Sequence, residues 1–232
     1  MDRRRFLHNL LSGATALAVA PALLRGEDAF AGDPARFAAG LREQPWLAGW
    51  KSVQSETLGP ATVQLEGRLP AGFAGTLYRN GPAWTERAGF RYEHWFDGDG
   101  MVYGFFIENG RVSMRNRWVR TEKFELEKAA GERLFGVFGN PMTADPSVQG
   151  KRYNTANTNI IIHGGKLLAL MEGAPPVVLD PRDLSTIGED HYGGTISTTF
   201  SAHPKIDYAT GEMINIGAMI NGPMGAAEIR YD

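Results

Sequence analysis

The sequence predicts an all-β protein, and three observations lead to this fold class. Strand-like apolar runs are joined repeatedly by short turns rich in Gly, Asn, Pro and Asp, which is typical of successive hairpins. Glycine and proline are frequent, with 29 and 13 residues among 232, and this indicates many turns and short strands. The strands do not alternate with helical segments, so a parallel α/β sheet is not expected.

Composition is typical of a globular protein and excludes several kinds of site. The chain is 43% hydrophobic and 22% charged, and its length suits one or two domains with a sizeable core. A net charge of −2 offers no electrostatic reason to expect nucleic acid as a partner. Because the chain has no cysteine, a metal ion would have to bind histidine, carboxylate or backbone oxygen.

The first 31 residues are predicted to be an export signal that is cleaved after Ala31. A basic start precedes a mildly apolar stretch over residues 10–24, which is too short and too interrupted by Pro21 to span a bilayer. An ordinary secretory signal is the alternative, but the pattern R-R-x-F-L favours the twin-arginine route and a periplasmic location. The residues of that pattern are Arg3, Arg4, Arg5, Phe6 and Leu7.

Residues 32–56 are predicted to be an irregular, weakly helical lead-in, with Trp46 and Trp50 as anchors on the body of the protein. A first hairpin follows, which turns at Asn109-Gly110. The segment after it is the one plausible short helix, with Thr121 as a candidate N-cap.

Three further hairpins are predicted downstream, with turns at Gly164-Gly165, at 181–183 and at Thr210-Gly211. The glycine turns recur at roughly the length of one β-propeller blade. No clean sequence repeat accompanies this spacing, so the pattern alone leaves a sandwich or a barrel open. The chain stops soon after a strand, and such a piece would present an unpaired edge. We therefore expect it to be a fragment.

Two aspartates in the stretch HWFDGDGM invite a calcium-site interpretation, which the spacing rejects. An EF-hand loop requires an oxygen ligand and then glycine at its fifth and sixth positions, and those places hold Met101 and Val102. Asp97 and Asp99 are therefore predicted to form a tight turn and to accept nearby backbone N–H groups.

The histidines differ in what their neighbours imply. His94, His163 and His191 stand beside turns or aromatic residues and are predicted to be exposed or hydrogen-bonded rather than metal-bound. His203 precedes Pro204, which restricts it to an extended conformation. That restriction would aim the imidazole toward one face, as a metal ligand requires, although a structural role remains the ordinary alternative.

For two more residues, Glu172 and Thr158, an ordinary structural role stands beside a role at a metal site. Glu172 ends an apolar strand, where a carboxylate is commonly solvated, but it could also accept an N–H from a ligand histidine. Thr158 is by default a strand residue with a satisfied hydroxyl. No serine-hydrolase, zinc-protease, phosphate-loop or dinucleotide-binding motif is found in the sequence.

Four separated stretches, taken together, closely resemble the carotenoid oxygenase family, which includes carotenoid, apocarotenoid and lignostilbene dioxygenases. They are GTLYRNGPA, YEHWFDGDGMVYGFFIENGRV, NTANTNIIIHGGKLLALMEGAPPVVLDPRDLSTIG and SAHPKIDYATGEM. The resemblance implies a seven-bladed β-propeller with Fe(II) on its axis, bound by four histidines. It further implies cleavage of an alkene double bond with O₂ into two carbonyl products, or in some members isomerisation of retinyl esters.

The resemblance also assigns roles to three residues of this chain. His203 lies in the AHPK motif, which holds the family's first iron ligand. Glu172 matches a glutamate that orients ligand histidines, and Thr158 matches a threonine beside the open coordination position of the iron in some members. Four neutral imidazoles suit Fe(II) and leave positions for O₂. The propeller would surround the iron with an apolar tunnel for a polyene or aryl-alkene substrate, and peripheral membrane contact would serve substrate uptake.

One departure limits what the resemblance implies. Family members are about twice this length, and their other three iron histidines follow the AHPK motif, whereas no histidine follows His203 here. Residues 57–232 are therefore expected to form about half of a propeller, without bound iron and with no ligand for Glu172 to orient. The alternative is a non-catalytic exported β-protein that binds an apolar ligand or a partner. Coding sequence beyond Asp232 with three further histidines would favour the oxygenase, and a stop codon would favour the alternative.

Overall fold

The computed structural model describes residues 32–196, 199–221 and 226–231. The predicted export signal lies outside these residues. Helix α1 (Pro34–Glu43) begins where the Asp33 carboxylate accepts the Ala35 N–H at 2.7 Å, and a 3₁₀ segment (Pro45–Trp50) follows it. Within the described part of the chain, no helix has both the length and the apolar content that crossing a membrane requires.

The first sheet has four antiparallel strands in the order β1-β6-β5-β2. Its strands are β1 (Thr57–Thr62), β2 (Gly75–Trp84), β5 (Asp99–Glu108) and β6 (Arg111–Trp118). Asn109 and Gly110 have φ of 52° and 72°, the left-handed conformations that a two-residue hairpin turn requires. The predicted hairpin is thus confirmed, and the structure adds a flanking strand on each side.

The second sheet repeats this design with strand order β10-β9-β8-β7. Its strands are β7 (Asn159–His163), β8 (Lys166–Leu170), β9 (Val177–Leu179) and β10 (Thr186–Glu189). Gly164 and Gly165 both have positive φ, at 56° and 75°, so the second predicted turn is confirmed. The third predicted hairpin corresponds to the β9–β10 pair.

Short strand pairs complete the described part of the chain: β3 (Glu86–Arg87) with β4 (Phe90–Arg91), β11 (Lys205–Ile206) with β12 (Met213–Ile214), and β13 (Ile216–Asn221) with β14 (Ala226–Tyr231). The expectation of one long fourth hairpin is wrong in its second strand, which breaks at Asn215. The Asn215 side chain forms hydrogen bonds to the backbone of Ser201, and the strand after it pairs with a new partner.

Along the chain, one short α-helix lies between the first and the second sheet, as the sequence predicts. Helix α2 (Glu122–Ala130) begins at Thr121, whose hydroxyl accepts the Phe124 N–H at 3.1 Å. It ends at Gly131, whose φ of 73° is the left-handed cap conformation. Helix α2 packs Phe124 against Met101 and Trp118 of the first sheet.

The hydrophobic core joins the two sheets. Met101 and Val102 are adjacent in β5 and face opposite sides of the sheet, and both are fully buried. Val102 belongs to a cluster with the second-sheet residues Leu167, Ala169 and Val177. The described residues therefore form a mostly β-sheet protein, as the composition and turns predict.

The linker N-T-A-N-T-N, residues 154–159, connects the two sheets and packs tightly on Gly100. The Gly100 N–H donates to Thr155 O at 2.8 Å, and a Cβ at this glycine would lie only 2.2 Å from Ala156 O. The Asn80 amide donates to the carbonyls of Ala156 and Asn159 at 2.7 and 2.9 Å. These contacts hold the start of β7 against β2.

The aspartates of HWFDGDGM are structural, but their partners are distant in sequence rather than nearby. Asp97 accepts the Phe138 N–H and the Tyr153 hydroxyl, each at 2.8 Å. Asp99 pairs with Arg87 and with Lys123. The expectation of a tight turn with local backbone bonds is therefore corrected, because the fold brings these partners to the carboxylates from β3, from α2 and from the chain between α2 and the linker.

Lys123 and Glu127 are the centre of a buried charge cluster under α2. Lys123 Nζ lies 2.9 Å from Glu127 Oε2 and 3.1 Å from Asp99 Oδ1, and the three side chains are at most 1% exposed. Arg87 contacts both carboxylates. With two cations and two carboxylates the cluster is balanced in charge, as burial of ions requires.

Candidate functional site

His203 lies on an irregular segment that precedes β11, next to Pro204. Its backbone N–H donates to Ser201 Oγ at 3.1 Å. Its imidazole is 63% exposed, and Nε2 lies 3.6 Å from Glu172 Oε1. This separation is too long for a hydrogen bond, so among the described residues the imidazole stands beside the carboxylate without being bonded to it.

Glu172 therefore has one histidine beside it, at a distance that leaves the two side chains without a hydrogen bond. Its Oε1 also accepts the Ser201 hydroxyl at 3.4 Å. The contact arises from the register of the second sheet, in which Asn159 pairs with Leu170, two residues before Glu172. Because the Asn159 amide donates to Ala202 O at 2.8 Å, it holds the His203 segment at this end of the sheet.

Thr158 lies at the same end of the second sheet, directly before β7. Its backbone N–H donates to Leu170 O at 2.9 Å, and its hydroxyl donates to Asn157 Oδ1 at 3.0 Å. The three residues singled out from the sequence are thus brought to one end of the β7–β8 pair. Thr158 and Glu172 adjoin neighbouring strands, and His203 lies on the segment held against them.

The other described histidines lie elsewhere and have hydrogen-bond partners of their own. His94 Nδ1 accepts the Phe96 N–H at 3.2 Å, His163 Nε2 lies 3.0 Å from Gly211 O, and His191 Nδ1 lies 3.1 Å from Ile196 O. The interpretation of these three as structural agrees with their contacts.

The donor set at His203 fits one ligand of a histidine-bound metal site. One exposed imidazole with a carboxylate beside it is the arrangement in which a second residue can orient a ligand. Over residues 32–196, 199–221 and 226–231, no group of three or more His, Asp or Glu side chains comes together in a geometry that could hold a metal ion.

Three residues that support the site were missed from the sequence: Asn159, Ser201 and Asn215. Asn159 belongs to the asparagine-rich stretch N-T-A-N-T-N, and an unusual density of amides between two hairpins was the available signal. Asn215 interrupts an otherwise apolar strand pattern, which is the second signal. Amide side chains can satisfy backbone groups of irregular segments, and both residues do so here.

Comparison with known proteins identifies the family. Residues 50–231 match the family model described as retinal pigment epithelial membrane protein. The chain is a carotenoid oxygenase family member. The fold and the resemblance of the four sequence stretches agree with this membership.

Curated relatives in the carotenoid oxygenase family include enzymes that are named for aryl alkenes. The chain is 41% identical to lignostilbene-α,β-dioxygenase isozyme III of Sphingomonas paucimobilis over 69% of its own length and 33% of that protein. It is 39% identical to isoeugenol monooxygenase of Pseudomonas putida over 78% of its length and 38% of that protein. The chain thus spans about a third of the length of these relatives.

Solved structures in the carotenoid oxygenase family match the described fold. A variant of the Synechocystis apocarotenoid oxygenase superposes with a TM-score of 0.67 and 31% identity, covering 82% of this chain and 44% of that one. The same Synechocystis enzyme has also been solved in a cobalt-substituted form, which shows that this relative holds a metal.

Proposed function

We propose that this chain is part of an iron(II)-dependent oxygenase that cleaves an alkene double bond. The substrate is a carotenoid, an apocarotenoid or a stilbene, and O₂ is the co-substrate. The C=C bond is broken and each of its carbons receives one oxygen atom, so the products are two carbonyl compounds. The support is membership of a family whose relatives are named for cleavage of such alkenes.

The arrangement of Thr158, Glu172 and His203 at one end of the second sheet carries the proposal for this chain. In the Synechocystis apocarotenoid oxygenase, variants at one threonine and one glutamate have been solved. Those two residues are separated in that enzyme by the same number of positions as Thr158 and Glu172 here. This agreement supports equivalent places for them in the site.

Each residue of this group then has a defined task. His203 supplies one imidazole to the iron, which when bound supplies the redox chemistry of O₂. Glu172 would accept the ring N–H of a ligand histidine and so keep that ring in the tautomer that binds metal. Thr158 would lie where a small molecule approaches the iron. Its hydroxyl donates a hydrogen bond to Asn157 Oδ1, which directs it.

The fold proposed for the whole protein is a seven-bladed β-propeller to which this chain contributes about half. Two four-stranded antiparallel sheets that share one apolar cluster support it, since consecutive blades pack in this way. We further propose that twin-arginine export places the protein in the periplasm, because folded, metal-loaded proteins suit that route.

Peripheral contact with a membrane is part of the proposal, because the substrates are apolar. Trp46, Trp50 and Trp95 are 63%, 40% and 50% exposed. Their rings form a continuous surface, with centroids 5.8 Å apart for the first pair and 5.7 Å for the second. Exposed tryptophans are favoured at the boundary between lipid and water.

The test is a substitution at the proposed ligand in the protein expressed from its complete gene. His203→Ala is expected to abolish stoichiometric iron and the release of carbonyl products, while the circular dichroism stays near that of the wild type. His163→Ala is the matched control, because that imidazole is bound to Gly211 O and should leave iron content unchanged. Iron that stays bound stoichiometrically in His203→Ala would show that the ligand assignment is wrong.

A further inference from the structure

We infer that Asn159 and Asn215 are positioning residues for His203. The inference rests on the proposed function, because it assumes that His203 binds the metal. Residues 201–203 belong to no strand or helix, so the regular backbone ladder does not hold them. A metal ligand on such a segment requires support from neighbouring side chains.

Asn159 holds the residue before His203. Its Nδ2 donates to Ala202 O at 2.8 Å, and its Oδ1 accepts the Ile160 N–H at 2.8 Å, so both ends of the amide are engaged and its orientation is determined. The carbonyl of Asn159 in turn accepts from Asn80 of β2. Because Ala202 is fully buried, its carbonyl cannot exchange this bond for one to solvent.

Asn215 holds the segment one residue earlier, by two bonds. The Ser201 N–H donates to Asn215 Oδ1 at 2.9 Å, and Asn215 Nδ2 donates to Ser201 O at 3.0 Å. Asn215 is only 2% exposed, so water does not compete for these groups. Ser201 Oγ then accepts the His203 N–H at 3.1 Å. Holding Ser201 in place therefore also restrains the backbone of His203.

The backbone is the part of His203 that is restrained. Among the described residues, its imidazole makes no hydrogen bond, and the Glu172 carboxylate lies 3.6 Å from it. The direction of the Cα–Cβ bond, which the two asparagines determine, therefore decides where the imidazole can reach. Loss of either asparagine should let the peptide units around Ala202 rotate and move the ring away from the metal.

The experiment compares three alanine variants of buried or half-buried asparagines in the protein expressed from its complete gene. The two clamp variants, Asn159→Ala and Asn215→Ala, each remove one of the asparagines that hold residues 201–203. Asn154→Ala is the matched control. Asn154 is fully buried, donates to Pro175 O and Glu189 Oε1 and accepts the Ala156 N–H. Among the described residues it has no hydrogen bond to residues 201–203. The Kd for Co²⁺ is measured from visible absorption, and amide exchange of the peptide 199–206 is followed by mass spectrometry.

We expect both clamp variants to raise the Kd for Co²⁺ by about tenfold or more, the range for groups that orient metal ligands. Exchange in the peptide 199–206 should accelerate in the same two variants. The control should change neither readout, even if all three variants lose similar thermal stability. If Asn215→Ala fails to fold, Asn159→Asp serves in its place, since it keeps the volume but removes the donor to Ala202 O.

Failure of the inference and failure of the proposed function give different results. Tight Co²⁺ binding that both clamp variants retain would overturn the inference, and so would unchanged exchange in residues 199–206. A wild-type protein that takes up no Co²⁺, or a His203→Ala variant that binds it normally, would instead refute the ligand role on which the inference depends.

Discussion

The buried charge cluster under α2 allows a quantitative prediction for Lys123→Met. Methionine matches the length of the lysine stem but removes the ammonium group, which lies 2.9 Å from Glu127 and 3.1 Å from Asp99. The variant leaves two buried carboxylates to share Arg87. Breaking a buried ion pair on one side costs about 3–5 kcal/mol, and the remaining Arg87 places the expected loss near the lower limit, at about 3 kcal/mol.

The assay is urea denaturation followed by tryptophan fluorescence, with Lys128→Met as the control. Lys128 lies on the same helix but is exposed, so its substitution should change the free energy of unfolding by no more than about 0.5 kcal/mol. A second variant, Lys123→Met with Glu127→Gln, restores the charge balance and should recover part of the loss. Equal, small effects of Lys123→Met and Lys128→Met would refute the reasoning.

The loss in Lys123→Met should depend on pH in a defined direction. Burial raises the pKa of Glu127, but Lys123 and the Phe135 and Leu134 N–H groups outweigh it, so the net pKa lies below the ordinary 4.5. A lowered carboxyl pKa in the folded protein contributes stability above the unfolded pKa, and this is lost as pH falls through the folded pKa. The difference between variant and wild type should therefore be smaller at acidic pH than at pH 7, and an equal difference would contradict this account.

Three further substitutions test separate features. Thr121→Ala should cost about 1 kcal/mol of stability through loss of the α2 cap, and an unchanged urea midpoint would contradict the capping role. Gly100→Ala should lower the free energy of unfolding by about 3 kcal/mol, because its Cβ would lie 2.2 Å from Ala156 O. A loss of less than half that free energy would mean that the linker moves freely. Replacing Arg3 and Arg4 by lysine should reduce the periplasmic pool in a bacterial host, and equal pools would refute twin-arginine export.

The features that the sequence predicted correctly are those with a local cause. Asn109-Gly110 and Gly164-Gly165 adopt positive φ at low cost, so the hairpin turn is determined by the turn residues themselves. Thr121 caps α2 because a hydroxyl there reaches an N–H three residues on. The roles proposed for His203 and Glu172 come from resemblance to a family, since neither has a local pattern that distinguishes it from an exposed polar residue.

The fourth hairpin shows why other features could not be predicted. Asn215 is the one polar side chain in the apolar run 213–220, and the sequence predicted that the strand continues through it to residue 220. Only the structure shows that the Asn215 amide is drawn to Ser201, on a segment fourteen residues earlier. A hydrogen bond over that separation leaves no periodic signal in the sequence.

The sequence by itself determined the class of fold, the turns and the one internal helix, because these depend on backbone preferences of neighbouring residues. Tertiary structure alone decided which distant polar groups meet. Arg87, Asp99, Lys123 and Glu127 form one neutral cluster, and Asn159 reaches Ala202 beside His203. Burial explains both, since a charge or amide removed from water must find a partner, and the partner can come from any strand that packing brings near.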